Sequence, residues 1–231
     1  MDFVKVVLLG GSGVGKTSIV QRFVHNEFNE KYTPTEQKET YYPSIIINDH
    51  LYELKISDLP VISYFPVNSY YEWTDYRFYG LRSATAYILV FDLSNVETFQ
   101  FVRTMREQMM ESRDMKHVPL LIVGNKQDLI AADSGANSGM TVLSGSNSVS
   151  NGLDLNQRKR RDIVNLVKKH WKCNYVECSA KHNWRVIAVF KELMEVIDSM
   201  DPNKNHNKEV YSSPMIDNIQ EALDGNKCVI L

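Results

Sequence analysis

The sequence is short of several features that mark whole classes of protein. It has three cysteines in no paired spacing, which favours a reducing compartment over a disulfide-bonded secreted fold. Its longest uninterrupted apolar run, Ala86–Phe91, is far too short for a transmembrane helix. Residues Met1–Lys5 are not expected to form a secretory leader, because their apolar stretch is short. A formal net charge of −2 gives no bulk basicity, so nucleic acid is not an expected partner.

The hydrophobic pattern predicts a single α/β domain. A chain of 231 residues with 43% hydrophobic content can bury one sizeable core. Most predicted strands are separated by helical patterns, whereas Asn48–His50 joins two strands as a short hairpin. We therefore expect a six-stranded, mostly parallel sheet with helices on both faces. The strands are predicted at 3–9, 43–48, 51–57, 85–92, 118–124 and 173–178, and the helices at 16–26, 95–113, 157–171 and 184–198.

The strongest motif is the octet Gly10–Thr17, which directly follows the first predicted strand. Its spacing is that of a phosphate-binding loop, in which backbone N–H groups surround phosphate oxygens. In such a loop Lys16 reaches the terminal phosphates and the Thr17 hydroxyl ligates Mg²⁺. The helix that begins there adds its positive end. The octet therefore predicts a nucleotide site.

The base is indicated by Asn125–Asp128, which follows another predicted strand. A carboxylate at Asp128 can accept hydrogen bonds from guanine N1–H and N2–H₂, groups that adenine lacks. The methylenes of Lys126 can form a floor under the ring. Glu177–Lys181 also follows a strand, and there the Ala180 N–H can donate to guanine O6. Either segment alone is more typical of a solvated turn, but their order after a phosphate loop favours a guanine site.

With these motifs in place, the sequence resembles the Ras superfamily of small GTPases over residues 3–199. The resemblance implies a three-layer P-loop GTPase domain that binds GTP or GDP with Mg²⁺. It also implies that Phe28 packs edgewise on the guanine, that Tyr32 covers the phosphates, and that Thr35 and Asp58 complete the magnesium site. The predicted nucleotide-binding residues are Gly10, Gly11, Ser12, Gly13, Val14, Gly15, Lys16, Thr17, Ser18, Phe28, Tyr32, Asn125, Lys126, Asp128, Ser179, Ala180 and Lys181. The predicted metal ligands are Thr17, Thr35 and Asp58, and the predicted catalytic residues are Lys16 and Thr35.

The segment after Asp58 departs from that family. Members usually continue with Thr-Ala-Gly-Gln, whose glycine N–H bonds the γ-phosphate and whose glutamine orients the attacking water. Here Leu59–Ile62 reads Leu-Pro-Val-Ile, and no glutamine or histidine occurs from 58 to 82, which leaves Gln37 as a weak substitute. Ser12 also replaces a usual glycine, at a position whose side chain can obstruct an arginine finger. The sequence therefore predicts retained binding and weak hydrolysis.

Two segments, 28–42 and 58–82, are predicted to contact effector and regulator proteins. The second is longer than the usual Ras pattern and rich in aromatic rings, namely Tyr64, Phe65, Tyr70, Tyr71, Trp73, Tyr76, Phe78 and Tyr79. Such rings are favoured interface anchors, although they could instead pack the enlarged loop onto the sheet.

The basic run Arg158–Arg161 lies at the start of a predicted helix, where positive charge opposes the helix dipole. It could contact anionic lipid or an acidic partner, or it could be a solvated helix face.

Two further segments are predicted to lack regular structure. The Ser-, Asn-, Gly- and Ala-rich stretch 130–156 is predicted to be a flexible insertion within a domain spanning 1–199. Residues 200–231 are predicted to be a disordered tail whose last four residues fit a prenylation motif, with geranylgeranylation at Cys228. The tail holds three lysines against five acidic residues, so it repels anionic lipid. The expected location is the cytosolic face of a membrane, the plasma membrane in particular, with a cytosolic fraction.

Three functions stay open at this point. The favoured one is a membrane-anchored, GTP-dependent signalling switch that hydrolyses GTP slowly. The alternative is a guanine-nucleotide-bound interaction module with negligible catalysis, a pseudo-GTPase. A P-loop kinase or ATPase is disfavoured by Asp128 and by the absence of a lid-like arginine cluster from the sequence.

Overall fold

The fold is built on a mixed sheet of eight strands. A computed structural model describes residues 3–47, 50–66, 77–112, 114–130, 150–200 and 228–230 of the chain. The strands are β1 (Val4–Gly10), β2 (Glu39–Tyr41), β3 (Ser44–Ile47), β4 (His50–Asp58), β5 (Ala86–Asp92), β6 (Leu120–Asn125), β7 (Asn174–Glu177) and β8 (Cys228–Ile230). Their order is β7-β6-β5-β1-β4-β3-β8, and β2 pairs with β4 as well. Strands β1, β4, β5, β6 and β7 are mutually parallel, whereas β2 and β3 run antiparallel to β4.

Helices cover both faces of the sheet and make the domain three-layered. They include α1 (Lys16–His25), α2 (Phe99–Ser112), α3 (Ser150–Asn165) and α4 (Val186–Met200), with a π-helical turn at Leu166–His170 and 3-10 turns at Arg77–Tyr79 and Val96–Thr98. Strand β1 contributes side chains to the hydrophobic core on both faces of the sheet, because successive side chains of a strand point to opposite faces. Val6 and Leu8 join the buried cluster with α1 and α4, and Val7 and Leu9 join the cluster with α2 and α3.

The parallel strands bring their carboxyl ends to one edge of the sheet. Strand β1 ends at Gly10, β5 at Asp92, β6 at Asn125 and β7 at Glu177. The register of β5 and β6 places Asp92 directly beside Asn125. The predicted nucleotide motifs follow three of these four ends, at the edge where parallel α/β folds bind ligands.

The α/β class and the mostly parallel sheet are confirmed, but the predicted six strands are too few. One addition is β2, because residues 39–41, which no predicted strand covers, pair with β4. The predicted strand at 43–48 is found as β3, which begins at Ser44, just after Pro43, a residue with no N–H to donate. The other addition is β8, which lies in the segment predicted to be a disordered tail. It pairs antiparallel with β3 and covers that edge of the sheet.

The helix predicted at 157–171 begins earlier than expected, at Ser150. The last residues of the predicted insertion at 130–156 are therefore helical. Residues 131–149 and 201–227 lie outside the described part of the chain. For those ranges the flexible insertion and the disordered tail stay predictions, as does the boundary of the domain at residue 199.

Candidate functional site

The loop between β1 and α1 depends on its glycines. Gly13 and Gly15 have φ angles of 69° and 93°, in the left-handed region that favours glycine. A Cβ on Gly15 would lie 2.3 Å from the side-chain nitrogen of Asn125, and a Cβ on Gly10 would lie 2.4 Å from the carbonyl oxygen of Val90. The loop is thus packed tightly against both β5 and the predicted base motif, and larger residues would push these elements apart.

The Lys16 side chain curls back into this loop. Its Nζ donates hydrogen bonds to the carbonyl oxygens of Gly10 and Gly11 at 3.0 and 3.2 Å, and the residue is only 7% exposed. Burial lowers the pKa of Lys16, and attraction to Asp58 partly opposes that shift. An ammonium group has three donors, so one remains to bind an anionic ligand.

Three oxygen-bearing side chains meet beside the amino end of α1. Thr17 Oγ1 lies 2.7 Å from Thr35 Oγ1 and donates a hydrogen bond to Asp58 Oδ2 at 2.5 Å. Asp58 is fully buried, and its Oδ1 has no hydrogen-bond partner among the described residues. Burial also raises the pKa of Asp58, although Thr17 and Lys16 oppose the shift. An unpaired buried carboxylate oxygen is costly unless a cation compensates it, and this set of hard oxygen donors suits Mg²⁺.

Asn125 ties the base motif to the phosphate loop. Its Nδ2 donates to the Val14 carbonyl oxygen at 3.0 Å, and its Oδ1 accepts a hydrogen bond from the Ala180 N–H at 3.1 Å. The Ala180 N–H, predicted to bind guanine O6, therefore has Asn125 as its acceptor in this structure. Ser179 Oγ donates to Asp128 Oδ1 at 2.5 Å, which fixes the orientation of that carboxylate.

These side chains line one cavity of about 580 Å³, within the usual size of a small-molecule site. The predicted residues that line it are Ser12, Gly13, Gly15, Lys16, Thr17, Ser18, Phe28, Tyr32, Thr35, Asn125, Lys126, Asp128, Ala180 and Lys181. The other predicted residues, Gly10, Gly11, Val14, Asp58 and Ser179, hydrogen-bond to members of this lining. The structure thus brings the predicted phosphate, metal and base residues together around one space.

Arg22 is a site residue that sequence reasoning missed. Its Nε donates to the Ala180 carbonyl oxygen at 2.9 Å, and its Nη2 donates to the Lys181 carbonyl oxygen at 3.1 Å. The guanidinium carbon also lies 5.8 Å from the centre of the Phe28 ring. Arg22 therefore joins α1 to two walls of the cavity. A lone arginine on a helix carries no motif, so only the fold reveals its place.

The phosphate end of the cavity is crossed by a contact between Ser12 and Tyr32. The Tyr32 hydroxyl lies 2.8 Å from Ser12 Oγ, although the tyrosine is 59% exposed. The serine that replaces the family's usual glycine is therefore in contact with the residue predicted to cover the phosphates. Gln37, the weak substitute for the missing glutamine, is exposed and does not line the cavity.

The segment after Asp58 turns apolar side chains into the core. Leu59 and Phe65 are fully buried and Ile62 is only 3% exposed, all within the cluster that includes α2. The Phe65 N–H donates to the Gln108 side-chain oxygen at 2.8 Å, which ties this segment to α2. Three buried side chains and one backbone hydrogen bond therefore hold residues 59–65 against the sheet and α2.

Two residues of the same segment face the cavity. Pro60 and Val61 line it, and Val61 is 46% exposed, whereas Ile62 is not part of the lining. The position at which the family carries its glutamine thus points into the core. No polar side chain from residues 59–62 reaches the cavity.

The predicted aromatic surface is only partly described. Phe65 packs in the core and Tyr79 is packed against it, in line with the alternative that the rings fasten the loop to the sheet. Phe78 is 76% exposed, and its carbonyl oxygen accepts a hydrogen bond from Lys38 Nζ at 3.1 Å. Tyr64 is half-buried. The remaining rings, Tyr70, Tyr71, Trp73 and Tyr76, lie outside the described residues.

The basic run at 158–161 has acidic partners within the chain. Lys159 Nζ lies 2.8 Å from Glu97 Oε1. Arg160 pairs with both carboxylate oxygens of Glu177, which raises the pKa of the guanidinium. The Arg160–Glu177 pair ties α3 to β7 and is largely buried, whereas the Lys159 side chain is 43% exposed and stays accessible to a partner.

The chain is similar to known proteins along most of its length. A sequence profile described as the Ras family matches residues 5–199. Ras-like protein family member 10B from Homo sapiens is 38% identical over 229 residues, which are 98% of this chain and 98% of that protein. Ras-like protein family member 10A from Mus musculus is 31% identical over 195 residues, 82% of this chain and 84% of that protein. Ras-related protein Ral-a from Drosophila melanogaster is 26% identical over 197 residues, 84% of this chain and 81% of that protein.

A membrane-spanning element is not found in the part of the chain that the structure describes. None of its helices combines the length and the apolar character needed to cross a bilayer.

Proposed function

The chain belongs to the Ras family of small GTPases, and on that premise we propose that it hydrolyses GTP slowly and acts at a membrane surface. Members of this family are signalling switches that bind guanine nucleotide, Mg²⁺, effectors and regulators. In this chain the nucleotide would occupy the cavity at the carboxyl edge of the sheet.

Nucleotide binding is supported by the fit between the cavity and a guanine nucleotide with Mg²⁺. Lys16 supplies a buried cation and Asp128 supplies an oriented carboxylate at the opposite end. Thr17, Thr35 and the unpaired Asp58 oxygen supply the hard oxygen atoms that would hold Mg²⁺. When bound, Mg²⁺ neutralises phosphate charge during hydrolysis.

Slow hydrolysis is supported by a single observation, the composition of the cavity wall after Asp58. Pro60 has no N–H to offer a phosphate oxygen, and Val61 cannot take the backbone conformations open to glycine. Ile62 is buried and has no polar atom with which to orient water. No side chain in this stretch can therefore position water or hold a proton.

Membrane action is supported by the last four residues of the sequence. Cys228 stands four positions from the end with a final leucine, the pattern of geranylgeranylation. One prenyl chain next to a net-acidic segment gives marginal anchoring, since stable attachment usually needs two signals. We therefore place the protein on the cytosolic face of a membrane, in reversible exchange with a cytosolic fraction, with effectors and regulators at 28–42 and 58–82.

A second candidate is favoured by the buried contacts of Leu59, Ile62 and Phe65. A segment held this firmly in the core is poorly suited to rearrange with the γ-phosphate. In that case the chain is a guanine-nucleotide-bound interaction module with negligible catalysis.

Single-turnover hydrolysis distinguishes the two candidates. Phosphate release from GTP-loaded protein is measured with cell extract as a source of activator, and with heat-treated extract as the control. The proposed switch has an intrinsic rate at or below about 10⁻⁴ s⁻¹ that extract accelerates. No acceleration by any extract fraction favours the interaction module. An intrinsic rate above about 10⁻² s⁻¹, the range of enzymes with a complete site, would contradict slow hydrolysis.

A further inference from the structure

The geometry points to Asp92 as a positioning residue for the guanine end of the cavity. It acts through Lys126, whose side chain it holds along the cavity wall. This inference rests on the proposed binding of guanine nucleotide. It adds a residue that belongs to none of the recognised motifs, because Asp92 ends β5, well before the base motif in sequence.

The carboxylate of Asp92 is fully engaged and almost buried. Its Oδ2 lies 2.7 Å from Lys126 Nζ, and the side chain is only 10% exposed. Its Oδ1 accepts hydrogen bonds from the Ser94 N–H at 2.9 Å and from Ser94 Oγ at 2.6 Å. Ser94 therefore fixes the direction of the carboxylate, and the carboxylate fixes the position of the ammonium.

The backbone around this pair is equally constrained. Asp92 sits beside Asn125 in the β5–β6 register, and the Leu93 N–H donates to the Asn125 carbonyl oxygen at 2.9 Å. The Asp92 N–H donates to Thr98 Oγ1 at 2.9 Å. The turn that follows β5 thus forms a fixed support for the first residues of the base motif.

Lys126 needs such support because its backbone conformation is energetically unfavourable. It has a φ angle of 64°, a left-handed conformation that costs free energy in any residue except glycine. A lysine side chain also loses much rotamer freedom when it is fixed. With its ammonium bound by Asp92, the methylene stem of Lys126 is the part left to lie against a bound base in the cavity that it lines. The ion pair therefore pre-organises the floor of the site.

The test measures dissociation of a fluorescent GDP analogue from the full chain in the presence of Mg²⁺. We expect Asp92→Asn to raise the dissociation rate about tenfold, the usual loss for a charged hydrogen bond. Ser94→Ala, which keeps the carboxylate but loosens its direction, should raise the rate by a smaller factor. Both factors should be the same for the GTP analogue, because the pair lies at the base end and not beside the phosphates.

A double-mutant cycle separates positioning from a merely structural role. If Asp92 acts through Lys126, then Asp92→Asn changes the rate less than about twofold in a Lys126→Met background. An undiminished effect in that background would overturn the inference, and so would unchanged rates in both Asp92→Asn and Ser94→Ala. Glu97→Gln is the matched control, since it neutralises a carboxylate nearby that pairs with Lys159 and should leave the rate unchanged. If the wild-type chain binds no guanine nucleotide at all, it is the proposed function that fails.

Discussion

Asp128 is the residue on which the choice of base depends. Ser179 orients its carboxylate, which can accept two N–H donors of guanine. We expect Asp128→Asn to weaken GTP and GDP binding by about a hundredfold, because two charged hydrogen bonds are lost. Affinity for xanthine nucleotides should rise relative to guanine, since xanthine has an oxygen in place of the amino group. Competition of GDP and xanthosine diphosphate against a fluorescent nucleotide measures both effects.

The matched control for this change is Asp114→Asn, at an exposed carboxylate outside the cavity. It should leave both affinities unchanged. Guanine affinity that stays unchanged in Asp128→Asn itself would remove Asp128 from the base site.

The sequence predicts those site residues whose roles follow from local spacing. The glycines, lysine and threonine of the octet Gly10–Thr17 lie within eight consecutive residues, so the geometry of this loop can be predicted from local sequence alone. Arg22 and Asp92 act on segments far away in sequence, and neither lies in a motif. The hydrogen bond from the Ala180 N–H to Asn125 Oδ1 could not be predicted either, because it depends on how the ends of β6 and β7 are placed relative to each other.

The segment after Asp58 behaves as part of the core. A glutamine at position 62 would restore the residue type that the family carries there, yet Ile62 is 3% exposed and does not line the cavity. We expect Ile62→Gln to leave hydrolysis as slow as in the wild type. It should also lower the free energy of unfolding by about 3 kcal/mol, because an amide replaces a buried apolar side chain. Single-turnover hydrolysis and denaturant unfolding test these two results.

Val61→Gln is the control for Ile62→Gln, because Val61 is 46% exposed and faces the cavity. Its free energy of unfolding should change by less than about 0.5 kcal/mol. A stable Ile62→Gln variant that hydrolyses GTP at least about tenfold faster would show that position 62 can turn to the nucleotide. A tenfold increase in rate corresponds to an activation barrier lowered by about 1.4 kcal/mol.

Helix α3 is fastened to the sheet by one well-formed ion pair. Arg160 and Glu177 have side chains that are 29% and 15% exposed, and they share two hydrogen bonds. We expect Arg160→Ala to lower the free energy of unfolding by about 1–3 kcal/mol, since it leaves the half-buried Glu177 carboxylate without its charged partner, although the Tyr175 hydroxyl still donates a hydrogen bond to it. Arg161→Ala, at the exposed next position, should cost less than about 0.5 kcal/mol. Equal losses in chemical denaturation would contradict the structural role given to Arg160.

Sequence patterns are sufficient to predict some of the strands but not others. Buried strands such as β5 and β6 are predicted to within a few residues, because their apolar runs are continuous. Strand β2 is only three residues long and is not predicted, and the pairing of β8 with β3 joins two segments that are far apart in the chain. Neither leaves a periodic signal. The early start of α3 at Ser150 lies in a polar stretch whose composition favours a loop.

Membrane residence should depend on Cys228. We expect Cys228→Ser to move the protein from the membrane fraction to the cytosol, and Cys173→Ser, a half-buried cysteine outside the motif, to have no effect. The proposed prenylation predicts that the wild type divides between both fractions, because one prenyl chain gives only marginal anchoring. Membrane association that survives Cys228→Ser would show that another feature anchors the protein.

The protein should hold guanine nucleotide and hydrolyse GTP slowly. The most direct test is the nucleotide released by denaturing freshly purified full-length protein, identified and quantified by chromatography. We predict one guanine nucleotide per chain and, when the purified protein is loaded with GTP and incubated for about ten minutes without extract, a large share still as GTP, because a site lined by Pro60 and Val61 hydrolyses it slowly. Adenine nucleotide, or no nucleotide under conditions that retain Mg²⁺, would contradict the proposed site, and guanine nucleotide found almost wholly as GDP after that incubation would contradict slow hydrolysis.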